Sequence, residues 1–199
     1  QPSFQKRLKY YEDQRALRVK EMTQRIRDHF DCDLRFEDVA AHSNRTLIGK
    51  PHVAKAMVEA GLVETIQDAF DKYLADGQLL DRVPKERMGV REAVRAIEEI
   101  GGIPVLAHPV HYDNPLTFQR FCQLGVQGVE VFYTDQSRSV QEKYFKEADR
   151  RDWLVTGGSD FHGEAKPDVS LGDIRLPERF LSELKDRARA GGSRQDLLG

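Results

Sequence analysis

The sequence predicts an α/β protein whose first half is helical and whose second half alternates helices with short strands. Three observations carry that expectation. Residues 4–29 set Leu8, Leu17, Met22 and Ile26 at helical spacing among Arg, Lys, Glu and Gln. Near residue 89 the texture changes, and three short apolar runs follow at 103–107, 128–133 and 153–157. Segments of helical length separate those runs, as parallel βαβ units require.

The elements follow in order. A mixed-charge helix over 4–29 is expected, solvated except for one apolar stripe. Phe36-Glu37-Asp38-Val39 begins a short second helix. Gly49-Lys50-Pro51-His52 leads into a third, because proline suits the first helical turn, and Gly61 ends it. Residues 64–75 form another, with Ile66, Ala69, Phe70 and Tyr73 on one face, and 77–89 is a loop containing Pro84. Val90 to Ile100 is an amphipathic helix closed by Gly101-Gly102. The first strand, 103–107, ends at His108-Pro109. A helix over 115–124 leads to the second strand, and a helix over 137–150 to the third. The third strand ends in Gly158-Ser159-Asp160-Phe161-His162-Gly163. A last helix occupies 178–190, before a polar tail expected to be flexible. The expected organisation is a helical segment (1–88), βα units (89–190) and a tail (191–199).

Composition excludes several functions. The 199 residues carry 31 Lys and Arg against 33 Asp and Glu, which rules out a generally basic nucleic-acid coat and an acidic tail protein. No apolar run approaches the roughly 18 residues that span a membrane. Cys32 and Cys122 make neither a disulfide framework nor a zinc-type CxxC, so a cytoplasmic setting is expected.

Chemistry gathers at strand ends in parallel α/β folds. His108 closes the first strand, and Asp160 and His162 follow the third. If the backbone stays extended there, residues two apart point the same way, so Asp160 and His162 face one centre that His108 reaches from a nearby strand. Two imidazoles and a carboxylate make a three-ligand set for Zn²⁺, Mn²⁺ or Fe²⁺, with positions open for water. Taken alone, His108 is as readily a hydrogen-bonded structural histidine, and His111 reads as a loop residue. Lys50 and His52, at a helix N-terminus, suggest an anion pocket that Arg45 could assist. On spacing alone the same segment is also a plain proline-initiated helix with a surface lysine. Neither cysteine has the basic or helix-start setting of a reactive thiol, and no Ser–His–Asp arrangement is visible.

GKPHVAKAMVEAGLV (49–63), AFDKYLADG (69–77), EAVRAIEEIGGIPVLAHP (92–109), GVQGVEVFY (125–133) and TGGSDFHG (156–163) together resemble the polymerase-and-histidinol-phosphatase (PHP) superfamily of metal-dependent phosphoesterases. Within it the sequence is most similar to the branch that cleaves nucleoside 3′,5′-bisphosphates and short RNA from the 5′ end. The pieces cover most of residues 45–175 in the family's order, with Lys50 where that branch often has Arg. The resemblance implies a distorted (βα)7 TIM-like barrel with an inserted helical subdomain and a cluster of divalent metals at the strand C-termini. Manganese is favoured, with zinc, iron or magnesium as alternatives. It implies that His108, Asp160 and His162 are ligands, and that Lys50 and His52 approach a substrate phosphate.

The family's opening HxH strand, its downstream Asp, its TDHD-like turn and its further Glu are not found in residues 1–107. The chain therefore reads as the C-terminal portion of such a domain, with a separate N-terminal segment or a homodimer partner expected to complete the sheet. The expected function is hydrolysis of phosphate esters of nucleotides or short RNA. The alternative is a fragment that binds nucleotide or RNA through the basic helix 4–29 and the Lys50 pocket without hydrolysis.

Overall fold

A computed structural model describes residues 2–43, 47–112, 114–134, 136–163 and 168–195. Arg45 lies outside the described residues. The chain divides into two compact units, Gln1–Met88 and Gly89–Gly199.

The first unit is helical. Its elements are α1 (Pro2–Phe30), α2 (Phe36–Ala41), α3 (Lys50–Glu59) and α4 (Ile66–Ala69), the last running into a π-helical turn, Phe70–Leu74. The apolar stripe of α1 differs from the expected one. Val19, Met22 and Ile26 are buried, whereas Leu8 and Leu17 are exposed. Steps of three and four residues put the buried three on one face, and Leu17 falls off it. They pack with Val39 of α2, with Val53 and Met57 of α3, and with Leu74 and Leu80.

The single helix expected over 64–75 is instead two short pieces. Thr65 caps α4 by accepting the Asp68 N–H. The switch to π-helical bonding then brings Phe70 and Tyr73 against the core beside buried Leu74. Pro51 in the first turn of α3 costs no hydrogen bond, because that N–H has no partner within a helix.

The second unit carries α5 (Val90–Glu98), β1 (Val105–Leu106), a 3₁₀ turn (Pro109–Tyr112), α6 (Pro115–Gln123), β2 (Gly128–Phe132), α7 (Arg138–Arg151), β3 (Leu154–Gly157) and α8 (Glu178–Gln195). Among the described residues the sheet has three strands in the order β1-β2-β3. Both pairings are parallel, Val105 opposite Gly128 and Gly128 opposite Leu154. β1 is shorter than the run 103–107. Pro104 has no N–H to give, although its carbonyl accepts the Gln127 N–H at 2.9 Å. α8 continues past the expected end at 190, through Gly191 and Gly192 to Gln195.

Val129 and Val131 are fully buried on β2, the central strand. With Val155 they form a core completed by Phe118 and Phe121 of α6, Tyr144 and Ala148 of α7, Trp153 and Phe180. Phe118 stacks on Tyr144 with rings 5.7 Å apart and 11° from parallel. A bulge interrupts the β2–β3 register. Glu130 faces Thr156 and Phe132 faces Gly157, so β2 spends two steps where β3 spends one. The backbones come so close that a Cβ on Gly157 would lie 2.3 Å from the Phe132 carbonyl oxygen.

Candidate functional site

The two strand-end motifs meet over the central strand. His108 follows β1, Glu130 lies within β2, and Asp160 and His162 follow β3. The Asp160 carboxylate stands between two imidazoles. Its Oδ1 is 3.9 Å from Nε2 of His108 and 3.6 Å from Nδ1 of His162. Donors that share one ion at about 2.0–2.2 Å lie about 3–4 Å apart, so each histidine is at a ligand's distance from the carboxylate. Among the described residues, however, no three His, Cys, Asp or Glu side chains close into a ready-made cage. The arrangement is two histidine–aspartate pairs with a shared carboxylate.

The local backbone differs from the extended path expected after β3. Asp160 has φ +57°, and His162 Nδ1 lies 2.6 Å from the Asp160 carbonyl oxygen. A tight turn brings these two residues together, where strand alternation was expected to do so. His108 has φ +109°, a value rare outside glycine, and it precedes Pro109, which favours an extended, negative-φ neighbour. Such strain costs of order 1–3 kcal/mol and persists only where the surroundings hold it in place. Tyr133 helps to do so, its ring edge-on to His108 at 5.4 Å. Thr134 fixes the facing turn by donating its hydroxyl to the Ser159 carbonyl at 2.7 Å.

Glu130 is the residue that sequence reasoning missed. It sits inside the matched run GVQGVEVFY, but mid-strand, where an acidic residue reads as a solvent-facing position. Here its Oε2 is buried and 3.1 Å from His108 Nδ1. The distance is that of a hydrogen bond, but the alignment is not, so Oε2 is left without one. Burial raises the Glu130 pKa; His108 opposes that rise and the Asp160 charge adds to it. Two carboxylates beside two imidazoles, with a buried oxygen unsatisfied, suit a cation in both charge and donor chemistry.

The helical unit places the other candidates. Lys50 lines a cavity of about 620 Å³ together with Arg15, Arg18, Lys85 and Arg87. Its Nζ is 3.0 Å from Oδ1 of Asp81, and that hydrogen bond holds the Asp81 carboxyl below its ordinary value. Lys85 is pushed down, first by burial and then by Arg87, Arg18, Arg15 and Lys50, which marks the cavity as crowded with cations. His52 is occupied locally, its Nδ1 accepting the Gly49 N–H at 3.1 Å across the helix start, and it is not among the described residues lining the cavity. Sequence spacing pointed to Lys50. Arg15 and Arg18 lie on the basic helix 4–29 that the binding alternative invoked, whereas Lys85 and Arg87 in a loop gave no such signal.

No protein-family profile matches the chain. Individual proteins do. It is 33% identical over 147 residues to a 3′,5′-nucleoside bisphosphate phosphatase of Chromobacterium violaceum, a match covering 70% of this chain and 50% of that protein. It is 30% identical over 135 residues to the 5′-3′ exoribonuclease Rnm of Salmonella typhimurium, covering 65% and 45% respectively. The chain is homologous to these phosphoesterases. Among solved structures, a Bifidobacterium adolescentis protein described as a metal-dependent phosphoesterase superposes with a TM-score of 0.74 at 31% identity, over 89% of this chain and 64% of that one. These neighbours accord with the PHP resemblance of the motifs. The chain spans about half the length of the curated relatives it matches.

Proposed function

We propose that this chain is the part of a metal-dependent phosphoesterase that supplies His108, Asp160 and His162 to a divalent metal centre, and that the complete protein hydrolyses phosphate esters of nucleotides or short RNA. The observation that carries the reading is the Asp160 carboxylate set between His108 and His162 at the C-terminal ends of parallel strands. That end of a parallel α/β sheet is where loops assemble active sites. The open three-stranded sheet then belongs to a distorted (βα)7 barrel, and the helical unit is its inserted subdomain.

A divalent ion held by these residues supplies a Lewis acid for a phosphoryl oxygen and lowers the pKa of a water. The protein's own residues do the rest. Asp160 would bring negative charge to such an ion, and His108 and His162 would hold it as neutral imidazole donors. Thr134 and Tyr133 hold the loops that carry them. In the helical unit, Lys50 with Arg15, Arg18, Lys85 and Arg87 offers a phosphate-binding cavity. His52 serves the start of α3 and supports phosphate binding only through the backbone it orders.

The test is titration of the purified chain with Mn²⁺, followed by calorimetry, beside Asp160→Ala. The wild type is expected to bind one ion, and Asp160→Ala to lose that binding while keeping its circular dichroism spectrum. Equal binding by the two proteins removes Asp160 from the centre. The basic side chains around the cavity of the helical unit favour a second reading, binding of nucleotide without hydrolysis. A wild type that binds a nucleoside 3′,5′-bisphosphate but no Mn²⁺ supports that reading instead.

A further inference from the structure

We infer that Glu130 is a positioning residue for His108: from the central strand it holds Nδ1 of that imidazole, fixing the tautomer and aim of Nε2 toward Asp160. The inference rests on the metal-centre reading and deepens it by giving Glu130 a role that acts through His108.

The geometry gives the two ring nitrogens different neighbours. Nδ1 lies 3.1 Å from Glu130 Oε2, whereas Nε2 lies 3.9 Å from Asp160 Oδ1. A neutral imidazole carries one N–H, and a hydrogen bond at one nitrogen decides which one carries it. A carboxylate accepts only, so beside Nδ1 it selects the Nδ1–H tautomer and leaves the Nε2 lone pair free. Nε2 is the nitrogen that faces Asp160, where a ligand is needed. A histidine ligand held by a carboxylate through its other nitrogen gains both orientation and basicity.

Three further observations make this a built arrangement. Glu130 Oε2 is buried and lacks a hydrogen bond, and His108 Nδ1, 3.1 Å away, is the nitrogen placed beside it. The β2 bulge begins at Glu130, which pairs with Thr156 before the register slips, and bulges re-aim side chains next to active sites. His108 itself holds φ +109° before proline, so its backbone position is imposed by its surroundings. An unpaired buried carboxylate is costly and would not persist on a central strand without a partner.

The experiment uses the 199-residue chain with ¹⁵N-labelled histidine, free of metal, at a pH where imidazoles are neutral, together with Glu130→Gln and Glu130→Ala. In the wild type the His108 ¹⁵N shifts are expected to report the Nδ1–H tautomer. Glu130→Gln keeps an acceptor oxygen and is expected to keep the tautomer; Glu130→Ala is expected to lose it. Mn²⁺ affinity, measured by calorimetry, is expected to fall about 10–100-fold in Glu130→Ala and within about threefold in Glu130→Gln. A wild-type His108 in the Nε2–H form overturns the inference by itself, even if Glu130→Ala fails to fold. So does a folded Glu130→Ala with wild-type tautomer and affinity. A wild type that binds no Mn²⁺ while His108 is in the Nδ1–H form sinks the metal-centre reading and leaves the Glu130–His108 contact standing.

Discussion

Lys50 and Asp81 form a cross-link within the helical unit at 3.0 Å, joining the start of α3 to a loop 31 residues further on. The pair constrains that unit and sets its response to acid. The Lys50 hydrogen bond, aided by the Gly77 N–H, depresses the Asp81 pKa below the ordinary 3.8. A depressed carboxyl contributes stability that is fully present above the unfolded value and lost as pH falls through the folded one. Thermal melts of α-helical signal below about pH 4 are therefore expected to fall more steeply with acid in the wild type than in Asp81→Asn. Equal pH slopes for the two proteins would show that the pair carries no linked stability. Near neutral pH the same pair tethers one of the five cavity cations, and Arg18 is held by donating from Nε to the Val83 carbonyl at 3.1 Å. Burial first, and then the neighbouring Arg87, Arg18, Arg15 and Lys50, depress the Lys85 pKa, although Asp76, Asp81 and Glu86 also line the cavity.

At the scale of elements, the decisive feature is the close approach of β2 and β3. The bulge gives β2 an extra step, and Gly157 is what allows the strands to stay paired across it. A methyl there would meet the Phe132 carbonyl oxygen at 2.3 Å and the Phe132 Cβ at 2.8 Å, both far inside contact distance. The obstruction is largely backbone, so a rotamer change gives no relief. Gly157→Ala is expected to destabilise the second unit by at least about 1–3 kcal/mol, the range for overpacking, and to displace the Asp160 turn that follows. Urea unfolding followed by Trp153 fluorescence measures the first effect; an unchanged midpoint would mean that β3 slides without cost. The helical unit depends instead on side-chain interdigitation. Met22, Ile26 and Met57 are wholly buried, and the π turn adjusts the chain so that Leu74 joins them.

For the whole molecule, each unit has its own core, and the two carry different chemistry: strand-end histidines and carboxylates in one, a cavity rich in cations in the other. No helix among the described residues is long and apolar enough to cross a membrane. If the second unit holds a divalent ion only when folded, the ion stabilises it by mass action, by about 2.7 kcal/mol at a hundredfold excess over Kd. The Tm of the chain is expected to rise with Mn²⁺, to return on adding a chelator, and to stay constant in Asp160→Ala. A rise of the same size in Asp160→Ala would assign the effect to other acidic groups.

The order and type of the elements could be foreseen from the sequence, because hydrophobic period and the Gly and Pro signals act over a few residues. The third helix starts at Lys50 as the Gly-Lys-Pro pattern indicates, and the three apolar runs became three parallel strands. His108, Asp160 and His162 were visible as polar residues closing buried strands, and a family resemblance gave them a shared purpose. Other features depended on how distant segments meet. The break of 64–75 into an α and a π piece answers to the core that Phe70 and Leu74 must enter, a demand that local propensity does not express. The turn at Asp160 replaced an extended path because the loop is tied to Thr134, 25 residues away. Glu130 carried no signal within its apolar run; the burial of its Oε2 depends on the segments that the fold brings around β2. Spacing along the chain determines which backbone forms are cheap and which side chains share a face. Burial, charge crowding and the pairing of His108 with Glu130 depend on approach between strands far apart in sequence, and only the folded arrangement decides them.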